Sequence, residues 1–224
     1  MKIRDSYDAV AEAYAREIGN ELPDKPVDRA LYGLFAELVG VGARVADVGC
    51  GPGHVGAYLA GLGLDVVGID LSPKMIEVAT ARYPAVAFRV GDMTAVGGLG
   101  SDEWAGAVCP YSIVHFGPEP RAAAFAELAR VIRPGGWLLL AFHTASIEAP
   151  GTASHHSDEW WGHEVDLDFQ FIDPARVTAE FADAGFELRS RTDREPWPDV
   201  EAPSRRSYLL CRLRARHSAH GEHR

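Results

Sequence analysis

Apolar and polar residues alternate along this chain with two different periods. Tyr7, Val10, Ala11, Tyr14 and Ile18 stand at i, i+3, i+4, i+7 and i+11, drawing one apolar stripe on a helix over about residues 5–20. The strand RVADV (44–48) comes next, then a helix marked by Val55, Tyr58, Leu59 and Leu62, then a second strand, DVVGID (65–70). Ser72 and Pro73 read as an N-cap and a proline at the first helical position, opening a helix that runs towards Tyr83. VAFRV (86–90) is a third strand.

The pattern repeats once more. AGAVC (105–109) reads as a strand; Phe125, Leu128, Ala129 and Ile132 give a helical stripe; and Arg133-Pro134-Gly135-Gly136 turns the chain into WLLLAF (137–142). Unbroken apolar runs suit strands covered on both faces, as in a parallel sheet. The rhythm then changes. Residues 144–172 form an insertion rich in His, Trp and acids, followed by a helix opened by Asp173-Pro174 and closed by Gly185. FELRSRT (186–192) and RSYLLCRL (206–213) follow with no helix between them, so they must pair antiparallel. This order predicts an α/β domain over residues 1–213, and the tail 214–224 is expected to be disordered.

Composition narrows the function classes. A chain of 224 residues with 47% hydrophobic content can bury one sizeable core. A net charge of -10 argues against a nucleic-acid groove, which needs clustered Lys and Arg, and favours a small neutral or cationic substrate. The three cysteines are widely spaced, which indicates neither a zinc site nor a disulfide framework and suits a reducing cytoplasm. No uninterrupted apolar run approaches the roughly 20 residues that span a bilayer, and the amino terminus lacks the apolar core of a signal peptide.

The chemistry concentrates in VADVGCGPGHVG (45–56), which satisfies G-x-G-x-x-G from Gly51. In a dinucleotide site such a turn brings a pyrophosphate to a helix N-terminus, and a carboxylate there would oppose it. Asp47 stands two residues before Gly49, so the expected ligand carries positive charge near the loop. S-adenosylmethionine (SAM) does, with an ammonium at its amino-acid end and a central sulfonium.

VADVGCGPG resembles the first motif of the class I SAM-dependent methyltransferases of the small-molecule type. The remaining motifs follow in order: GIDLSPKMIEVA, GDM, Y-S-I-V-H, RPGG and the final antiparallel pair. The resemblance implies a Rossmann-like three-layer αβα sandwich with a seven-stranded sheet of order 3-2-1-4-5-7-6, the last strand antiparallel. It implies that Asp47, Gly49, Cys50 and Gly51 hold the methionine end of SAM and that Asp70 takes the ribose, with Leu71 and Met75 beside it. Asp92 would meet the adenine amino group and Met93 the ring, although an acid after glycine also forms turns. Cys109, Pro110, Tyr111 and Ser112 would follow the methionine moiety, but this chain has Ala105 where an aspartate is usual and Pro110 where an aromatic is common. Tyr7 and Tyr14 resemble the tyrosines of a lid helix closing over the cofactor; plain packing on the apolar stripe is the other reading.

Methyl transfer from a sulfonium needs chiefly an aligned nucleophile and somewhere for its proton to go. His115 and His143 are the candidate bases, with His115 and Tyr111 facing the acceptor; a histidine bonded to backbone at a turn is the alternative. Trp160 and Trp161 are candidates for an aromatic wall of the acceptor site. No metal is expected, since His155, His156, His163, Asp158 and Glu164 lack ligand spacing and read as solvated loop residues. Arg205, Arg206, Arg212, Arg214 and Arg216 read as a solvated edge strand and tail. The partner expected is a small-molecule methyl acceptor, with the protein a monomer or homodimer and neither nucleic acid nor membrane engaged. A SAM-binding protein without transferase activity and a dinucleotide-dependent oxidoreductase are the competing functions.

Overall fold

The computed structural model describes residues 3–96 and 100–215, so residues 216–224 of the expected tail, Arg216 among them, lie outside the described residues. Seven strands form one sheet: β1 (Arg44–Val48), β2 (Asp65–Asp70), β3 (Ala87–Val90), β4 (Trp104–Pro110), β5 (Ile132–Ser146), β8 (Phe186–Arg194) and β9 (Ser204–Leu213). Their order is β3-β2-β1-β4-β5-β9-β8, with β9 antiparallel to both β5 and β8. Two further strands, β6 (Ser154–Trp160) and β7 (His163–Gln170), make a separate hairpin. Set the hairpin aside and the order is the expected one.

Both faces of the sheet are covered. Along β5, Leu138, Leu140 and Phe142 join Phe125, Leu128 and Phe181 in one core, while Leu139 joins Tyr32, Phe35 and Leu59 in another. This period of two sorts β1 in the same way: Ala46 and Val48 enter the first core and Val45 the second. The first core lies under α5 (Pro118–Val131) and α6 (Pro174–Asp183), and the second under α2 (Pro26–Val39) and α3 (His54–Gly61).

Local chemistry sets the boundaries. Ser72 Oγ accepts from the Met75 amide at 3.0 Å and caps α4 (Pro73–Arg82), while Asp173 caps α6 through the Ala175 amide at 2.9 Å. The first helix, α1, runs Ile3–Glu17, shorter at its end than the expected stretch. Ile132, read as part of a helical stripe, is instead the first residue of β5. The helix α2 was absent from the sequence expectation, although Tyr32, Phe35, Ala36 and Val39 make a regular stripe between Pro26 and Gly40.

The insertion is a hairpin, on which His155, His156, Asp158, His163 and Glu164 are exposed as expected of solvated residues, though in strands and not in a loop. Its second strand alternates Val165, Leu167 and Phe169 with Glu164, Asp166 and Asp168, and Val165 and Leu167 pack with Val10, Ala11, Met75 and Val78. So α1 is held between α4 and the hairpin. Two polar bonds fix it: Ser72 Oγ donates to Asp8 at 2.5 Å, and the Asp166 amide donates to Ser6 Oγ at 3.0 Å. The basic patch also divides, because β8 and not β9 is the sheet edge and Arg206 is buried against Glu201.

Candidate functional site: a cavity over the strand ends

Register aligns the carboxyl ends of four strands. Val48 pairs with Ile69, Asp47 with Val108 and Asp70 with Val90, so Gly49, Asp70, Gly91 and Pro110 emerge in a row. All four line one cavity, together with Tyr7, Tyr14, Cys50, Gly51, Leu71, Met75, Asp92, Met93, Tyr111 and His115. Most of the expected cofactor residues are thereby brought together.

The glycine turn makes the floor. Gly49 has φ +74°, and a Cβ there would lie 2.3 Å from Ser112 Cβ, so no side chain fits. Gly51, at φ +51°, would meet only the Tyr14 ring at 4.0 Å, which leaves bare backbone facing the cavity. Asp70 holds that turn in place: one carboxylate oxygen accepts from the Gly51 amide at 2.8 Å and the other from the Ser72 amide at 2.9 Å. Burial raises its pKa despite these bonds. Asp92 uses Oδ1 to accept from the Thr94 amide and hydroxyl at 2.8 and 2.7 Å, so it makes the local turn and lines the cavity as well.

Asp47 stands elsewhere. Strand alternation sends its side chain to the face of Val45, where it is 0% exposed and absent from the cavity lining. A Cβ on Gly56 in α3 would lie 3.2 Å from its Oδ2, so that glycine makes its room. Burial pushes the Asp47 carboxyl up to about 7, against the pull of the Gly56 amide and with repulsion from Asp70 adding to the shift. Cys109 is likewise behind the wall, its Sγ 3.0 Å from Ser112 Oγ and its thiol pushed up to about 12 by burial.

The roof is aromatic. Tyr7 and Tyr14 of α1 pack edge-on, and Trp160 lies 6.3 and 6.0 Å from them, centroid to centroid. Trp160 and Trp161 thus back the roof tyrosines and do not line the cavity, which corrects the expected acceptor wall. His115, in a 3-10 turn (Ile113–His115), bonds through both ring nitrogens: Nδ1 to the Asp168 carbonyl at 2.8 Å and Nε2 to the Tyr7 hydroxyl at 2.6 Å. A carbonyl can only accept, so Nδ1 carries the hydrogen and Nε2 receives the Tyr7 O–H. Burial lowers the His115 pKa in spite of the Asp168 carbonyl and carboxylate.

The cavity also carries Ser112, expected beside the methionine moiety, and residues that sequence reasoning missed: Glu21, Asp28, Tyr32 and His54. Glu21 sits in the turn between α1 and α2, and His54 opens α3 within the glycine motif itself. Behind them lies a buried ionic network. Asp28 accepts from Arg194 at 2.9 Å and from the Tyr208 hydroxyl at 2.9 Å, while Glu201 meets Arg194 at 2.5 Å, Lys25 at 3.2 Å and Arg206 at 3.3 Å. Tyr111, with φ +57°, bonds the Tyr208 hydroxyl at 2.8 Å and stacks on His143. His143 does not reach the cavity: its Nδ1 bonds Ser204 Oγ at 2.8 Å, and burial with Arg206, Lys25 and Arg194 nearby pushes its pKa down to about 3. Held there, it stands apart from the cavity in which a base was expected.

The cavity wall therefore presents Glu21, Asp28, Asp70 and Asp92 and, among the described residues, no Lys or Arg. That charge pattern repels a pyrophosphate and suits a cationic ligand such as SAM; the bare Gly51 backbone and the Asp70 carboxylate fit its close approach. A family model described as a methyltransferase domain matches residues 45–136. The chain is 30% identical over 200 residues to a ubiquinone biosynthesis O-methyltransferase of Xanthomonas axonopodis pv. citri, covering 78% of both chains. It is 33% identical over 137 residues to a demethylmenaquinone methyltransferase of Renibacterium salmoninarum, covering 60% of this chain and 56% of that one. Among solved structures, 1,6-didemethyltoxoflavin-N1-methyltransferase of Burkholderia thailandensis, with its acceptor and S-adenosylhomocysteine bound, matches with a TM-score of 0.67 at 17% identity, over 96% of this chain and 92% of that chain. The chain belongs to the class I SAM-dependent methyltransferases, enzymes that move the sulfonium methyl of SAM to an acceptor.

Proposed function

We propose that SAM lies across the row of strand ends, with adenine beside Asp92 and Met93, ribose on Asp70 and the amino-acid end over the Gly49–Gly51 turn. A small-molecule hydroxyl compound then enters beside Tyr7, His115 and Tyr111. The observation that carries this reading is the acid-lined cavity that runs without Lys or Arg from Asp92 to Glu21 among the described residues. The names of the Xanthomonas and Burkholderia proteins, one an O- and one an N-methyltransferase of small compounds, support a small acceptor. On this reading the enzyme is one domain over residues 1–213 that works in the cytoplasm as a monomer or homodimer, without nucleic acid or membrane. Its three cysteines are free and buried, and among the described residues no helix is long and apolar enough to cross a membrane.

Bound SAM supplies the electrophilic methyl; the protein's part is to orient the acceptor, exclude water and receive a proton. Tyr7 and His115 provide the proton path, which favours a hydroxyl acceptor. The acceptor proton passes to Tyr7 Oη as the tyrosine's own proton moves to His115 Nε2, and the Asp168 carbonyl holds the imidazole in the tautomer required. Because the His115 pKa lies below its ordinary value near 6.5, the ring is neutral and able to accept at pH 7.

Tyr7→Phe and His115→Ala are each expected to lower kcat by roughly a hundredfold, the low end for a positioned base, with His115→Ala leaving S-adenosylhomocysteine affinity within about twofold. The wild-type rate should hold level through neutrality and fall only below the ordinary histidine pKa, since protonation removes the base. Normal kcat in His115→Ala would return His115 to tying the hairpin to α1. A second expectation concerns the roof: amide exchange through α1 should slow when S-adenosylhomocysteine is added, and equal exchange in both states would leave Tyr7 and Tyr14 as packing residues.

A further inference from the structure

We infer that Glu21, and not the motif aspartate Asp47, receives the ammonium of the cofactor's amino-acid end. The inference rests on the SAM reading of the cavity. An ammonium needs an ionised carboxylate that it can touch and that has a lone pair to spare. Asp47 fails on access, being sealed behind the floor with Gly56.

Of the four carboxylates on the wall, Asp70 and Asp92 follow β2 and β3, at the nucleoside end of the row. Asp28 is engaged on both oxygens: Oδ1 accepts from Tyr208 and Oδ2 from Arg194, both at 2.9 Å. Glu21 is engaged on one side alone. Its Oε2 lies 2.7 Å from Lys25 Nζ, while Oε1 lies 3.8 Å from His54 Nε2, beyond hydrogen-bond reach.

The surroundings keep Glu21 charged. Burial opposes the ionised form, but His54 and Lys25 outweigh it and hold the pKa below the ordinary value. Lys25 does not neutralise Glu21 alone, since its ammonium also lies 3.2 Å from Glu201. His54 follows the glycine turn directly, which sets Glu21 over the start of α3, where the amino-acid end of a ligand lying across Gly49–Gly51 would reach. Tyr32 lines the same cavity and presents a phenol as a partner for the carboxylate that accompanies the ammonium.

The test is calorimetry with two nucleosides, S-adenosylhomocysteine and 5′-methylthioadenosine, which lacks the amino-acid end. Glu21→Gln should weaken S-adenosylhomocysteine by about tenfold or more and leave 5′-methylthioadenosine within about twofold, as a lost charge-assisted bond requires. Asp47→Asn should shift neither ligand by more than about threefold. If Glu21→Gln fails to fold, Glu21→Asp keeps the charge for Lys25 and should show the same selective loss in smaller measure. Equal loss of both ligands, no loss in either Glu21 variant, or a selective loss in Asp47→Asn would overturn the inference. If the wild-type protein bound neither nucleoside, the reading of the cavity would fall, and this assignment with it.

Discussion

Asp70→Ala weakens S-adenosylhomocysteine by about a hundredfold: this is the largest binding effect expected of any single substitution in the site. Two contributions add. On the proposed assignment the carboxylate loses its charge-assisted bonds to the ribose, worth at most about 1.5–3 kcal/mol each. The apo protein also loses the two bonds, to the Gly51 and Ser72 amides, that hold the glycine turn against the start of α4. Asp70→Asn separates them. Its carbonyl oxygen still accepts from one amide while its NH2 opposes the other, so it should bind better than alanine and worse than aspartate. Calorimetry on the three proteins reads the series, and an Asp70→Ala protein that folds and binds normally would remove Asp70 from the ribose site.

The largest stability effect is expected from Glu201→Ala. The Glu201 side chain is fully buried and draws together Arg194, Arg206 and Lys25, all three nearly buried themselves. Removing it leaves Arg206 without a carboxylate and Arg194 and Lys25 with one each, Asp28 and Glu21, a loss of about 3–5 kcal/mol for a buried pair broken from one side. For a chain of this size that is roughly a 10 °C fall in Tm. Burial opposes ionisation of Glu201, yet the Arg194 contact, the Trp197 amide, Arg206 and Lys25 together bring its pKa down to about 2. A depressed folded pKa gives stability that is complete above the unfolded value near 4.3 and is lost as pH falls through 2. Urea titrations between pH 6 and pH 2 should show the wild-type protein losing this increment and Glu201→Ala having none to lose. Parallel pH profiles for the two proteins would show that the network is held by packing and not by charge.

What the sequence made legible follows from how local each signal is. The floor was readable because strand, turn and helix fall within a dozen residues and glycine has few substitutes at φ +74°. The caps Ser72 and Asp173 were readable for the same reason. Asp47 was misplaced because proximity to the loop was weighed and direction was not; the alternation of Val45, Ala46 and Val48 already assigns it to the α3 face. The hairpin went unread although HEVDLDF alternates strictly. Its connection is Trp161-Gly162 at φ +50° and +82°, where asparagine or aspartate before glycine is the usual sign and a large aromatic in the left-handed region is uncommon. Glu21 and His54 carry no local signal at all, since their meaning arises only where the α1–α2 turn crosses the start of α3.

The clasp of α1 between α4 and the hairpin has a consequence for biosynthesis. As the chain leaves the ribosome, α1 has its α4 partner once residue 82 has been made, but Val165, Leu167 and the Asp166 amide come only later. The aromatic face of Tyr7 and Tyr14 therefore stays bare of Trp160 while β3, β4, α5 and β5 are being synthesised. Nascent-chain fragments ending near residue 150 should expose these tyrosines to protease, and those ending beyond residue 170 should not. The roof over the cavity is in this sense the last part of it to be built, although half of it is encoded first.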